Sequence, residues 1–84
     1  MKMKERFFIV SLCYYTDENA PECGARVVIK SKEDLTKIPT YRIKENIYVA
    51  EAMEANDCEG IGVILEISEE EFQEEYFDEE LIVF

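Results

Sequence analysis

The sequence predicts an α+β fold. We expect one small acidic domain, residues 1–84, with a four-stranded, mostly antiparallel sheet and helices mainly on one face. The predicted order is β-β-α-α-β-α-β. Three observations carry this reading. Runs rich in β-branched and aromatic residues stand at Arg6–Tyr15, Ala25–Lys30 and Ile61–Ile67. Serines that can cap helices, Ser31 and Ser68, follow two of those runs directly. The chain is 48% hydrophobic, which supports a packed core despite a net charge of −11.

Arg6–Tyr15 alternates Phe8, Val10, Leu12 and Tyr14 with Phe7, Ile9, Ser11, Cys13 and Tyr15. Both faces are largely apolar, as expected of a central strand. Thr16–Gly24 has the Asp, Asn, Pro and Gly content of a loop. Ala25–Lys30 is the second strand, antiparallel to the first. Ser31 is expected to cap a short helix, "SKEDLTKI", stopped by Pro39. The next stretch admits two readings. Ile43, Ile47, Ala50 and Glu54 fit one helical face, while "YRI" and "IYV" can pair across "KEN" as a hairpin. The high helix propensity of "AEAMEAND" decides for a helix over roughly 44–57.

"NDCEG" then turns into the strand Ile61–Ile67, with Ile61, Val63, Leu65 and Ile67 assigned to one face. Ser68 opens the last helix. Its hydroxyl can accept from the Glu71 amide, Glu71 can reach back, and Ile67 can staple onto Phe72. Phe72 and Tyr76 are expected to face the sheet. The apolar tail Leu81–Phe84 reads as a final strand, with an extension of the helix as the alternative.

Charge is distributed unevenly. All nine bases lie in residues 1–44 with six acids, a net +3; residues 45–84 hold fourteen acids and no base, a net −14. The acids of the second part must face water, the basic N-terminal part, or a basic partner. On the last helix Glu70, Glu71, Glu74, Glu75 and Asp78 fall in one sector at about 100° per residue. They span roughly 12 Å of helix axis. Duplex DNA places about seven phosphates in that length. A solvated helix face is the ordinary role of such a run. The sharper role is a binding face for a basic protein, with these five acids as the partner-binding residues.

Other chemistries find little support. The chain has no histidine, so Ser-His and Cys-His nucleophilic pairs and His metal ligands are excluded. Cys13, Cys23 and Cys58 are odd in number and form no CxxC pair, which disfavours a zinc site and points to reduced thiols in a cytoplasmic protein. Cys13 is expected in the core. "GIG" at Gly60–Gly62 precedes a strand instead of following one, so it is no dinucleotide fingerprint. "DENAPE" lacks the ligand alternation of a calcium loop. The run Phe7–Leu12 is too short for a signal sequence, and no segment is long enough to span a membrane. We therefore expect no enzyme activity, no cofactor, no metal and no direct nucleic-acid binding. In composition the chain resembles small acidic inhibitors: nuclease immunity proteins, and phage anti-restriction or anti-CRISPR proteins that mimic nucleic acid. No motif ties it to one such family. The alternative is a structural or assembly domain, a homo-oligomer whose strand Arg6–Tyr15 or tail Leu81–Phe84 pairs across chains and whose acids only keep it soluble.

Overall fold

The computed structural model describes residues 4–15 and 21–84. Its elements are β1 (Arg6–Tyr15), β2 (Pro21–Ser31), α1 (Thr40–Lys44), α2 (Ile47–Ala55), β3 (Gly60–Ile67), α3 (Glu69–Glu75) and β4 (Leu81–Val83). The four strands form one sheet in the order β3-β1-β2-β4. β1 is antiparallel to both of its neighbours, and β4 runs parallel to β2. The predicted α+β class and element order hold. The central placement of β1 holds too, because an apolar strand on both faces is stable only when both faces are covered.

The first face is the main core. Phe8, Val10 and Leu12 of β1 and Ile29 of β2 are buried against Leu35, Ile43, Val49, Met53, Cys58 and Ile82. α1 and α2 therefore lie on this face. α3 lies on the other, where Phe72 stacks on Phe7 at 4.7 Å between ring centroids. Phe7 and Phe8 are adjacent in an extended strand, so the two layers sit on opposite sides. Val28 and Ile67 are buried but stand outside the main cluster, and both share the face of Phe7.

Several elements depart from the sequence reading. β2 starts at Pro21, so the predicted loop shrinks, and its residues 16–20 lie outside the described residues. Cys23 stands in β2, and Cys58 lies in the connection between α2 and β3 with its side chain buried in the core. "SKEDLTKI" forms no helix. Ser31 ends β2, and its hydroxyl accepts from the Glu33 amide. The Asp34 carboxylate accepts from both the amide and the hydroxyl of Thr36. Such local bonds give the backbone a turn in place of a helical ladder. Leu35 plugs into the core from this turn, fully buried.

The helix expected over roughly 44–57 is α2, Ile47–Ala55, and a separate short helix, α1, precedes it. Asn46 separates the two, its side chain accepting from the amides of Tyr48 and Val49 as the N-cap of α2. The break restarts the helical period, so the buried residues are Ile43, Val49 and Met53, while Ile47 is 65% exposed.

The facing of β3 is also corrected. Val10 pairs with Ile64 and Leu12 with Ile61, two steps on β1 against three on β3. That bulge inserts one residue and breaks the alternation. Ile61 and Ile64 therefore both pack on the core, while Val63 and Leu65 are 64% and 57% exposed. A Cβ at Gly62 would lie 2.4 Å from the Cys13 sulfur, so any larger residue there requires the Cys13 side chain to move.

Four bases of the first part, Arg6, Arg26, Lys30 and Arg42, form ion pairs among the described residues. The Arg6 guanidinium grips both oxygens of Glu66, with Nε–Oε2 at 2.7 Å and Nη2–Oε1 at 2.6 Å, and also approaches Asp34 at 3.5 Å. The hydrogen bonds from Arg6 hold the Glu66 carboxyl below its ordinary pKa. Asp34 is lowered as well, chiefly by the Thr36 hydroxyl. Arg42 pairs with Glu33, and Lys30 with Glu5. This ties Arg6 to β3 and Arg42 to the turn after β2, while Arg26 pairs with Glu79 beyond α3.

Candidate functional site

α3 starts as its sequence implies. The Ser68 hydroxyl accepts from the Glu71 amide at 3.0 Å. Glu69, Glu70 and Glu71 occupy the first turn, where the exposed amides favour anions. Only the Ser68 half of the capping box forms among the described residues. Phe72 docks on Phe7, which is the cross-strand neighbour of Ile67 in the sheet. Ile67 and Phe72 thus both lie against Phe7 on this face of the sheet. Tyr76, just past the helix, lies under the Arg26 guanidinium at 5.0 Å, and Arg26 Nε bonds Glu79 Oε1 at 3.1 Å. Two aromatic rings and one arginine thus hold this element to the sheet.

Replacing Ser68 with alanine removes one cap and leaves the core intact. We expect a loss of about 1 kcal/mol in urea unfolding, the usual size of an N-cap. An unchanged midpoint would show that the cap contributes nothing.

With Phe72 and Tyr76 turned inward, the acids turn outward. Glu70, Glu71, Glu74, Glu75 and Asp78 are all exposed. None of the five is in an ion pair among the described residues. The structure brings four of them onto one short helix. Asp78 is different: α3 ends at Glu75, and Asp78 lies in the following turn, where the Glu79 amide donates to the Tyr76 carbonyl. The helical spacing of Glu74 to Asp78 therefore does not apply. Of the fourteen acids in residues 45–84, only Glu66 and Glu79 form ion pairs among the described residues.

Sequence reasoning missed how the acids join across the sheet edge. Glu51 and Glu54 are exposed on α2, over the opposite face. β4 is only three residues long, and a cavity of about 370 Å³ opens beside it. Its lining brings Glu51 of α2 together with Glu79 and Glu80. The acidic surface of α2 thus approaches that of α3 around the edge of the sheet. Nothing in the linear spacing of 51 and 79–80 signals this, because it depends on β4 pairing with β2. Among the described residues no group of three or more His, Cys, Asp or Glu is arranged to hold a metal ion. Also among them, no helix is long and apolar enough to cross a membrane.

The chain matches no protein-family model, and neither the curated proteins nor the solved structures contain a significant match to it.

Proposed function

We propose that this chain is a non-enzymatic, acidic protein-binding module acting in the cytoplasm. Its partner is a basic protein, of the kind that binds or cuts nucleic acid. The module inhibits that partner by occupying the groove where phosphates would lie. This is the role of the nucleic-acid mimics and immunity-type inhibitors that it resembles in composition. One observation carries the reading: α3 and its following turn present Glu70, Glu71, Glu74, Glu75 and Asp78 exposed and outside any ion pair among the described residues. Carboxylates left without internal cations keep their field for an incoming one. Direct binding to nucleic acid is opposed by the net charge of −11.

The test is salt. A partner held by these acids is captured at low ionic strength and released as the Debye length shrinks from about 10 Å at 0.1 M to about 3 Å at 1 M. Retention of the partner at 1 M salt contradicts the reading.

A second reading, a homo-oligomeric assembly domain, has one observation of its own. β1 is covered on both edges, so it cannot pair across chains, but the outer edge of β3 has no strand partner among the described residues. Val63 and Leu65 are exposed on that strand. Long apolar edges invite pairing. On this reading, sedimentation shows a dimer that Leu65→Lys dissociates, and a monomer at all concentrations removes it.

A further inference from the structure

The outer side of the sheet at β4 combines an open strand edge, a groove and a negative rim. Among the described residues β4 pairs only with Val28, Ile29 and Lys30 of β2. The Phe84 amide donates to the Lys30 carbonyl. Backbone groups alternate along a strand, so the amides and carbonyls of Leu81 and Val83 point away from β2. Three cavities border this edge, and the third, of about 440 Å³ at Val83 and Phe84, is lined by Lys30 and Lys32 as well as Glu5 and Glu33. The first, of about 370 Å³, is lined by Arg26, Tyr48, Glu51, Glu79, Glu80 and Ile82 among others. The second, of about 360 Å³, continues past Leu81 and Val83 and shares Tyr48, Glu80 and Ile82 with the first.

The charge of the groove selects its occupant. Three acids line the first cavity against one base, and that base, Arg26, is already held by Glu79 and lies over Tyr76. The second oxygen of Glu79, Oε2, is buried with no hydrogen-bond partner among the described residues. Glu51 and Glu80 are exposed and in no ion pair among the described residues, so they are the carboxylates open to an incoming cation. Tyr48, 57% exposed, offers a ring face to a guanidinium or ammonium. The β3 edge differs: Gly60–Leu65 carries no charge.

We infer that the β4 edge receives an extended segment of a basic protein as an added strand, with Lys or Arg side chains of that segment meeting Glu51, Glu79 and Glu80. Strand addition supplies affinity through backbone bonds, and alternate side chains supply specificity. This deepens the acidic-module reading and rests on it, but it uses a surface separate from Glu70, Glu71, Glu74, Glu75 and Asp78.

The probe is a labelled twelve-residue peptide alternating Arg and Val, titrated against the full chain labelled with ¹⁵N. A second peptide carries the same charges with alternate backbone amides methylated, which blocks strand pairing. We expect saturable binding to the first peptide, with the largest amide shifts at Tyr48, Leu81 and Val83. The methylated peptide should bind at least about fivefold more weakly, the cost of one or two lost hydrogen bonds. Glu51→Gln with Glu80→Gln should weaken the first peptide about tenfold. Val83→Pro removes an outward amide, a position where edge strands tolerate proline, and should cost about fivefold. Should Val83→Pro not fold, the two exposed glutamates carry the test. Neutralising the five acids of the α3 region should change peptide affinity by less than about threefold, because they stand outside the groove.

Equal binding of both peptides overturns the inference. So does unchanged affinity in the Glu51 and Glu80 double variant, or shifts centred on α3 with Leu81 and Val83 unmoved. Binding lost only when the α3 acids are neutralised keeps the acidic module and removes the groove. Groove binding that persists while α3 proves to have no partner does the reverse.

Discussion

Phe8→Ala should cost about 3–5 kcal/mol, the range for removing a fully buried phenylalanine from a core. Phe8 is 0% exposed, sits mid-sheet on β1, and packs among the residues that α1 and α2 bring down onto the first face. Its ring also lies beneath the Arg6 guanidinium at 5.6 Å. The lost ring leaves a cavity that fixed strands on both sides cannot close. Small domains have a total stability of about 5–15 kcal/mol, so this loss is a large fraction of the whole. Urea unfolding followed by circular dichroism measures it, with a lower midpoint and an unchanged slope. Val63→Ala, on the same sheet but exposed, should shift the midpoint by no more than about 0.5 kcal/mol. A loss below about 1 kcal/mol for Phe8→Ala would mean that β1 does not have this face in the core.

The second large effect is on binding. Changing Glu70, Glu71, Glu74, Glu75 and Asp78 together to the amides should leave folding intact, since all five are exposed. Removing the like-charge pairs Glu70/Glu74 and Glu71/Glu75 should stabilise α3 by a few tenths of a kcal/mol. Binding to the basic partner should move the other way. At about 0.2–1 kcal/mol for each exposed charge, the five together weaken affinity by at least about fivefold. Most of the change should fall in the on-rate, and the salt dependence should flatten. Surface plasmon resonance at several ionic strengths reads both. A folded variant that binds with unchanged affinity and salt slope returns α3 to a solvated face. The acidic role then passes to Glu51, Glu54, Asp57 and Glu59, the other dense acids of the base-free part.

The amino-acid sequence by itself determined the strands, the polarity of α3 and the outward facing of its acids. β1 was legible because both of its alternating sets are apolar, and only a central strand can bury both. α3 was legible because Ser68, Phe72 and Tyr76 specify a start and an inner side within one short stretch. These are local signals, and local chemistry settles them.

Tertiary structure decided the rest. Asn46 can sit inside a helical pattern or cap a new helix. The packing of Ile43, Val49 and Met53 on one sheet face selects the cap. Ser31 can cap a helix or end a strand, and pairing with Arg6 makes it the strand's last residue. The bulge in β3 is invisible in its alternation, because it is set by the close approach of Gly62 to Cys13 on a neighbouring strand. The joining of Glu51 to Glu79 and Glu80 needs β4 to lie beside β2, a contact between segments some fifty residues apart. A sequence window holds the charges of that groove, but only the folded sheet brings them to one edge.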